Sequence, residues 1–225
     1  MSLYLTQLWA VAWKDLVVEF RSRERVGAMA AFTALVGILF NFAIDPTVVR
    51  PEQIASGLIW LTLIFAGMLG LGRTFEIEAQ DGALQGVLMT PIPRDALFLG
   101  KVLSNYLIMM AVVLLAMGVF GVLFALDWGN PAVVLATLSL GALGFTAVGT
   151  LFSAVSSGTA MGGTLLPILL FPLLVPVVIY GTSATNRLLA DRPLSEVDGQ
   201  LRMLGAFALV SLFVGAGLFR YVVEE

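Results

Sequence analysis

Residues 102–126 read VLSNYLIMMAVVLLAMGVFGVLFAL, 25 positions without an ionisable acid or base between Lys101 and Asp127. A helix crosses the hydrocarbon core of a bilayer with about 20 apolar residues, so this stretch is long enough to span. The same pattern repeats on both sides. Val26 to Ile44 lies between Arg25 and Asp45, Gln53 to Gly72 between Glu52 and Arg73, and Met203 to Phe219 between Arg202 and Arg220. Trp128 to Asn186 is uncharged over 59 residues and breaks naturally at the Gly-rich Ser156–Gly163 segment. The expectation is one membrane domain over 1–225, all-α, with six spans near 26–44, 53–72, 102–126, 131–155, 160–182 and 203–219.

Composition agrees. Hydrophobic residues are 59% of the chain and charged residues 12%, with mean hydropathy +0.98, where soluble domains run near half and a quarter. A net charge of −3 offers no basic surface for a nucleic acid. With no Cys there is no disulfide and no thiolate nucleophile or ligand. With no His, the commonest metal ligand and general base is missing. The reading is therefore a non-catalytic membrane subunit that binds no metal or cofactor itself. A phosphate-binding loop needs G-x-x-x-x-G-K-[ST]. Gly100-Lys101 is followed by Val102, so ATP chemistry would belong to another subunit.

Six spans place both termini on one side. Eight basic residues fall there (Lys14, Arg21, Arg23, Arg25, Arg73, Arg94, Lys101, Arg220), against four opposite (Arg50, Arg187, Arg192, Arg202). Excess Lys and Arg marks the cytoplasmic side, so the termini are expected there, in a cytoplasmic (inner) membrane. The first strongly apolar stretch follows Asp15, Glu19 and Glu24, which is not the layout of a cleaved signal. The charge-free windows weigh against an ion-coupled transporter.

Outside the spans, residues 3–24 have Leu5, Leu8, Trp9, Ala12, Trp13, Leu16 and Phe20 at steps of three and four, with Gln7, Lys14 and Arg21 opposite. This predicts an amphipathic helix over 1–25, lying in the headgroup layer or packed on its own bundle. Glu19, at the edge of the apolar arc, calls for an Arg partner, and Arg73 is the candidate. The connection 73–101 is longer than a turn requires. Acidic Glu76, Glu78 and Asp81 precede Gly82, then Ala83, Leu84, Val87 and Leu88 in helical register. Thr90-Pro91 and Pro93 end that piece, and Arg94 leads into the next span. The prediction is a cytoplasmic helical hairpin that receives a soluble partner; the bland alternative is a solvated loop. Residues 183–202 form an extracytoplasmic segment in which Ser195 can cap a short helix. Pro167, Pro172 and Pro176 predict a kink in the fifth span, gating or static. Gly67, Gly70, Gly72, Gly141, Gly144 and Gly149 suit close helix approach, and Asn41 and Asn105 suit interhelical hydrogen bonds.

The piece Glu78-x-x-Asp81-Gly82-Ala83-Leu84, then Thr90-Pro91, Arg94 and Gly100-Lys101, resembles the ABC-2 type of ABC-transporter permeases; Ala83 stands where Thr is common. Within that group the chain is most similar to the CcmB family of cytochrome c maturation. The similarity rests on Trp13-Lys14-Asp15-Leu16 with Glu19-Phe20-Arg21-Ser22-Arg23, on Gly57-Leu58-Ile59-Trp60 with Phe65-Ala66, on Arg73-x-Phe75-x-x-Glu78, and on Pro91-x-x-Arg94-x-x-Leu97-x-x-Gly100-Lys101 with Asn105.

The resemblance implies a permease dimer with a soluble ABC ATPase holding ATP and Mg, a haem-handling membrane subunit and a small membrane subunit. It implies ATPase contacts at Glu76, Glu78, Asp81, Gly82, Ala83, Leu84, Val87, Leu88, Thr90, Pro91 and Arg94, and transmission through Glu19, Arg21 and Arg73. The cargo is haem itself or the release of a haem-loaded chaperone; the absence of His and Cys suits the second, with Met and Tyr as the remaining axial ligands. A generic exporter of a lipid, drug or polysaccharide and a non-transport scaffold are the alternatives.

Overall fold

The computed structural model describes residues 2–45, 48–72, 74, 86, 89, 92–157 and 162–223. Among them are seven α-helices: α1 Ser2–Ser22, α2 Glu24–Ala43, α3 Pro51–Leu71, α4 Arg94–Leu123, α5 Pro131–Ser157, α6 Gly162–Leu189 and α7 Asp198–Val223. Six of them, α2 to α7, are long and apolar enough to cross a membrane. The all-α, six-span expectation is met.

The helices begin where the sequence supplies starting chemistry. Pro51 stands in the first turn of α3 with Glu52, and Pro93 precedes α4 with Asp95 in its first turn; proline and acidic residues both favour a helix start. The Asn130 side chain accepts from Val133 N at 3.3 Å at the start of α5. The helices also outrun the charge-free windows. α4 starts at Arg94 rather than Val102, and α7 starts at Asp198, where Arg202 meets Asp198 at 2.6 Å one turn on. Polar pairs of this kind continue a helix past its apolar stretch.

In the segment before α7 the expected capping does not form. The short turn is a 3-10 helix, Leu194–Glu196, entered from Pro193 without a side-chain cap, and Ser195 sits inside it. α6 runs without a break through Pro167, Pro172 and Pro176.

α5 and α3 form the centre. α5 touches α3, α4, α6 and α7, and α3 touches α2, α4, α5 and α6. The most apolar window of α3 is 67% buried against 17% for α2, so α2 is peripheral. Small residues let these helices close. A Cβ on Gly141 would lie 2.2 Å from the Trp60 ring, and one on Gly67 2.2 Å from Phe145. Trp60 is buried and donates from Nε1 to Thr185 Oγ1 at 2.9 Å, tying α3 to α6. Gly70, Gly144 and Gly149 are likewise filled by Met29, Phe207 and Leu71. Gly72 differs from the expectation: its nearest neighbour is Met68 O of its own helix. Asn41 donates to Leu123 O, as an interhelical bond should.

A second, smaller core lies where the two chain ends meet. Val11 of α1 packs there with Leu97, Phe98 and Val102 of α4, Ala147 and Leu151 of α5, and Phe219 of α7. Phe98 and Phe219 stand 5.4 Å apart, above Gly215.

Gly141→Leu is expected to lower stability in detergent by about 1–3 kcal/mol through overpacking on Trp60. Gly118→Leu, on an exposed position of α4 with nothing within 4 Å, is expected to change it by less than about 0.5 kcal/mol. Thermal unfolding followed by size-exclusion recovery separates the two.

Candidate functional site: a pinned corner at the chain-end side of the bundle

α1 and α2 meet at a sharp corner. Arg23 links them in the left-handed region, φ 54°, which an L-residue adopts at a cost of roughly 1 kcal/mol. Its backbone holds both sides of the bend: Arg23 N donates to Glu19 O at 2.7 Å, and Gly27 N donates to Arg23 O at 2.9 Å.

The Glu19 side chain turns into this corner and is almost wholly buried, 5% exposed. Its Oε1 accepts Val26 N at 2.9 Å, satisfying an open donor at the start of α2. Its Oε2 accepts Arg25 Nε at 2.7 Å. A buried carboxylate without such partners would be costly, so both bonds are required rather than ornamental. Arg25 continues inward, with Nη1 3.2 Å from Thr74 Oγ1 and 3.3 Å from Asn105 Oδ1. Asn105 then donates from Nδ2 to Thr150 Oγ1 at 3.0 Å. One polar network thus joins α1, α2, the residue Thr74 beyond α3, α4 and α5.

A second ion pair lies one helical turn away. Lys101 of α4 is buried, 1% exposed, and its ammonium meets Asp15 of α1 at 3.3 Å. Ser104 Oγ lies 3.4 Å from the same carboxylate oxygen. Asp15 and Glu19 are four apart on α1, and Lys101 and Asn105 four apart on α4, so each set shares a face. Toward the amino end from these pins Gly100 lets the helices touch: a Cβ there would lie 2.8 Å from Leu8 O and 2.8 Å from Val11 Cβ. At the far end Tyr4 donates to Asp95 Oδ2 at 2.9 Å. Burial, then the bond to Asp95 and its negative charge, push the Tyr4 hydroxyl up to about 12. It therefore stays a donor at any physiological pH, and this pin loosens only as pH rises from about 10 toward 12.

The expected apolar arc of α1 divides in two. Ala12 and Val11 are buried against the bundle, while Leu5, Trp9, Trp13 and Phe20 are exposed, with Trp9 and Trp13 stacked at 6.3 Å. At 100° per residue the exposed apolar face is centred about 110° from the bundle face, and Gln7, Lys14 and Arg21 occupy the rest.

Of the expected transmission residues, Glu19 is at the centre of the corner and Arg21 is exposed beside it. Among the described residues Glu19 pairs with Arg25, which sits at the mouth of α2, six residues along the chain; the expected partner Arg73 lies outside the described residues. Arg73, Glu76, Glu78, Asp81, Gly82, Ala83, Leu84, Val87, Leu88, Thr90 and Pro91 lie outside the described residues. Arg94 is described and opens α4. Asp15, Arg25, Lys101 and Ser104 are site residues that charge-free windows pass over: Arg25 and Lys101 only bound a window, Asp15 precedes the first one, and Ser104 is an uncharged member of another. Their signal was the matched four-residue spacing of Asp15/Glu19 and Lys101/Asn105.

The profile of the CcmB protein family matches residues 6–221. The chain belongs to the CcmB family. Heme exporter protein B of Pseudomonas aeruginosa is 32% identical over 205 residues, 88% of this chain and 90% of that protein. That of Rhodobacter capsulatus is 31% identical over 194 residues, covering 84% and 89%. That of Escherichia coli K12 is 30% identical over 222 residues, covering 96% and 99%. The chain is thus a multi-pass membrane protein of a haem-export permease family. Two of the pieces that carry the resemblance, residues 13–23 and 91–105, are the ones the pinned corner brings together.

Glu19→Leu is expected to cost about 3–5 kcal/mol, because it strands the Arg25 charge. The double variant Glu19→Leu/Arg25→Met is expected to be more stable than Glu19→Leu alone, and Arg21→Leu to differ from the parent by under about 0.5 kcal/mol. A thermal double-mutant cycle in detergent measures the coupling.

Proposed function

We propose that the chain is the permease subunit of an ABC-type complex for cytochrome c maturation. In it, ATP hydrolysis by a soluble partner drives haem export or the release of a haem-loaded chaperone. The match to Heme exporter protein B relatives over nearly the whole chain carries this reading. The absence of a phosphate-binding loop supports an ATPase in a separate subunit, which would hold ATP and Mg. The chain itself holds no cofactor in this reading. Haem is handled by a membrane partner, alongside a small membrane subunit and a second copy of this chain. Both termini are cytoplasmic, as the eight-to-four basic bias favours.

The mechanism follows from where α4 begins. Arg94 opens it directly after residues 73–93, the proposed ATPase-docking hairpin with Leu84, Val87 and Leu88 on its apolar side. A push on that hairpin reaches α4 at its first turn. Lys101 and Asn105 hold α4 to α1 and α2, so the displacement is shared by three helices rather than absorbed by one. α1 presents its Trp9/Trp13 face to the headgroup layer and slides along it, consistent with tryptophan's preference for that layer. The interior beside Arg25 holds a void of only about 10 Å³, on the scale of one water. That favours work done at the seams with partners over passage through a single copy.

Leu84→Arg puts a charge on the proposed docking face and is expected to reduce ATPase co-purification and c-type cytochrome levels by about tenfold or more. Affinity purification from the native host with haem staining of the cytochromes checks both. Survival of both overturns the docking model. An intact complex that contains an ATPase but no haem-handling subunit would favour a generic exporter instead, and one without any ATPase a scaffold.

Asp15→Asn is expected to leave the ATPase bound while lowering cytochrome maturation severalfold, since it removes the carboxylate that holds Lys101 to α1 and leaves the proposed docking hairpin unaltered. The same purification, with cytochrome quantified per unit of complex, reads it.

A further inference from the structure

A lateral groove of about 560 Å³ opens beside the corner, lined by Leu16, Phe20 and Arg23 of the α1–α2 bend, Val26 of α2, and Leu107 and Ala111 of α4. Its size falls within the range of about 300–1,000 Å³ typical of small-molecule sites. Its walls are apolar except at one end. There the Glu19 carboxylate is already bonded inward to Arg25 and Val26 N, so the charge left facing the groove is that of Arg23. Arg23 is exposed, and among the described residues its guanidinium makes no ion pair. It occupies a φ of 54°, where glycine would be less strained. Backbone conformation alone gives no reason for an arginine at this position, whereas a cationic rim on an apolar groove does.

We propose that this groove binds an anionic glycerophospholipid. One acyl chain lies along Phe20, Val26, Leu107 and Ala111, and the phosphate meets Arg23, with exposed Arg21 close by in sequence. The position suits this occupant: α2 starts at Glu24, so the guanidinium stands at the mouth of a spanning helix and the apolar walls run inward from it. Arginine recognises phosphate through paired N–H donors, and acyl burial supplies affinity along the chain. The bound lipid fills the angle between α1, α2 and α4 and wedges the corner that Glu19 and Arg25 hold.

The test is native mass spectrometry of the purified, delipidated full-length chain, titrated with phosphatidylglycerol or with phosphatidylcholine of the same acyl chains. Retention of phosphatidylglycerol is expected to exceed that of phosphatidylcholine by about tenfold, as a charge-assisted contact warrants. Arg23→Gly removes the charge and relieves the backbone, so it should keep or raise the thermal midpoint while abolishing the preference. Arg23→Gln should abolish it as well, and Arg23→Lys should retain it. Ala111→Trp fills the groove and should reduce retention of both lipids. Millimolar inorganic phosphate should not displace bound phosphatidylglycerol. Equal retention of the two lipids overturns the proposal. So does a preference that survives both Arg23→Gly and Arg23→Gln, or one that phosphate alone removes.

Discussion

The Glu19–Arg25 ion pair is the constraint from which the rest of the chain-end side follows. The two groups are 5% and 9% exposed and 2.7 Å apart. Neither can be left without a partner there, because an isolated buried charge costs several kcal/mol. Glu19 meets that demand only if α1 ends where it does and Arg23 takes its left-handed turn. Arg25 meets it only if α4 presents Asn105 and Thr74 comes within reach. The corner angle, the start of α2 and the placement of α4 are therefore not independent choices.

The second ion pair adds what the first cannot. A single buried contact fixes a point, about which α1 could still swing. Asp15–Lys101 fixes another point one turn back along α1, this time directly to α4, and Tyr4–Asp95 a third near the amino end. Three points make α1 a rigid outrigger on α4. Its apolar contribution is modest by comparison: Val11 and Ala12 are buried, while Leu5, Trp9, Trp13 and Phe20 remain outside. A helix held to its bundle by polar pins, with its aromatic residues outward, is compatible with the interfacial role proposed for α1.

The spans were legible because hydrophobic runs bounded by charges are a local signal, and a bilayer forbids most other backbone solutions. The packing glycines of α3 and α5 were legible for the same reason, Gly72 excepted. The pinned corner was hardly legible. Arg25 and Asn105 are separated by 80 residues, and Asp15 and Lys101 by 86, so no period along the chain announces that they meet. Reading ionisable residues as boundaries of spans also hid them, since a boundary residue is assumed to be solvated. Lys101 stands at such a boundary and is 1% exposed. The division of the α1 arc was not legible either: amphipathicity finds one apolar face, whereas Ala12 is buried against the bundle and Trp9 and Trp13 are exposed.

Why charges rather than leucines hold α1 to α4 is a question of register. In an apolar environment one leucine contact differs little from the next, so an apolar seam between two helices would permit sliding by a turn. Ion pairs do not. Moving α1 by four residues toward its amino end along α4 would bring Glu19 opposite Lys101 and leave Arg25 in its buried position without a carboxylate. The opposite shift would set Asp15 against Asn105 and take its carboxylate away from Lys101. Each alternative separates a buried cation from its carboxylate, at a cost well above the difference between two apolar registers. The polar pins thus contribute little net stability and a large gap between the correct register and its neighbours. In the proposed mechanism, where a displacement passes from one helix to the next, that gap matters more than a stronger grip.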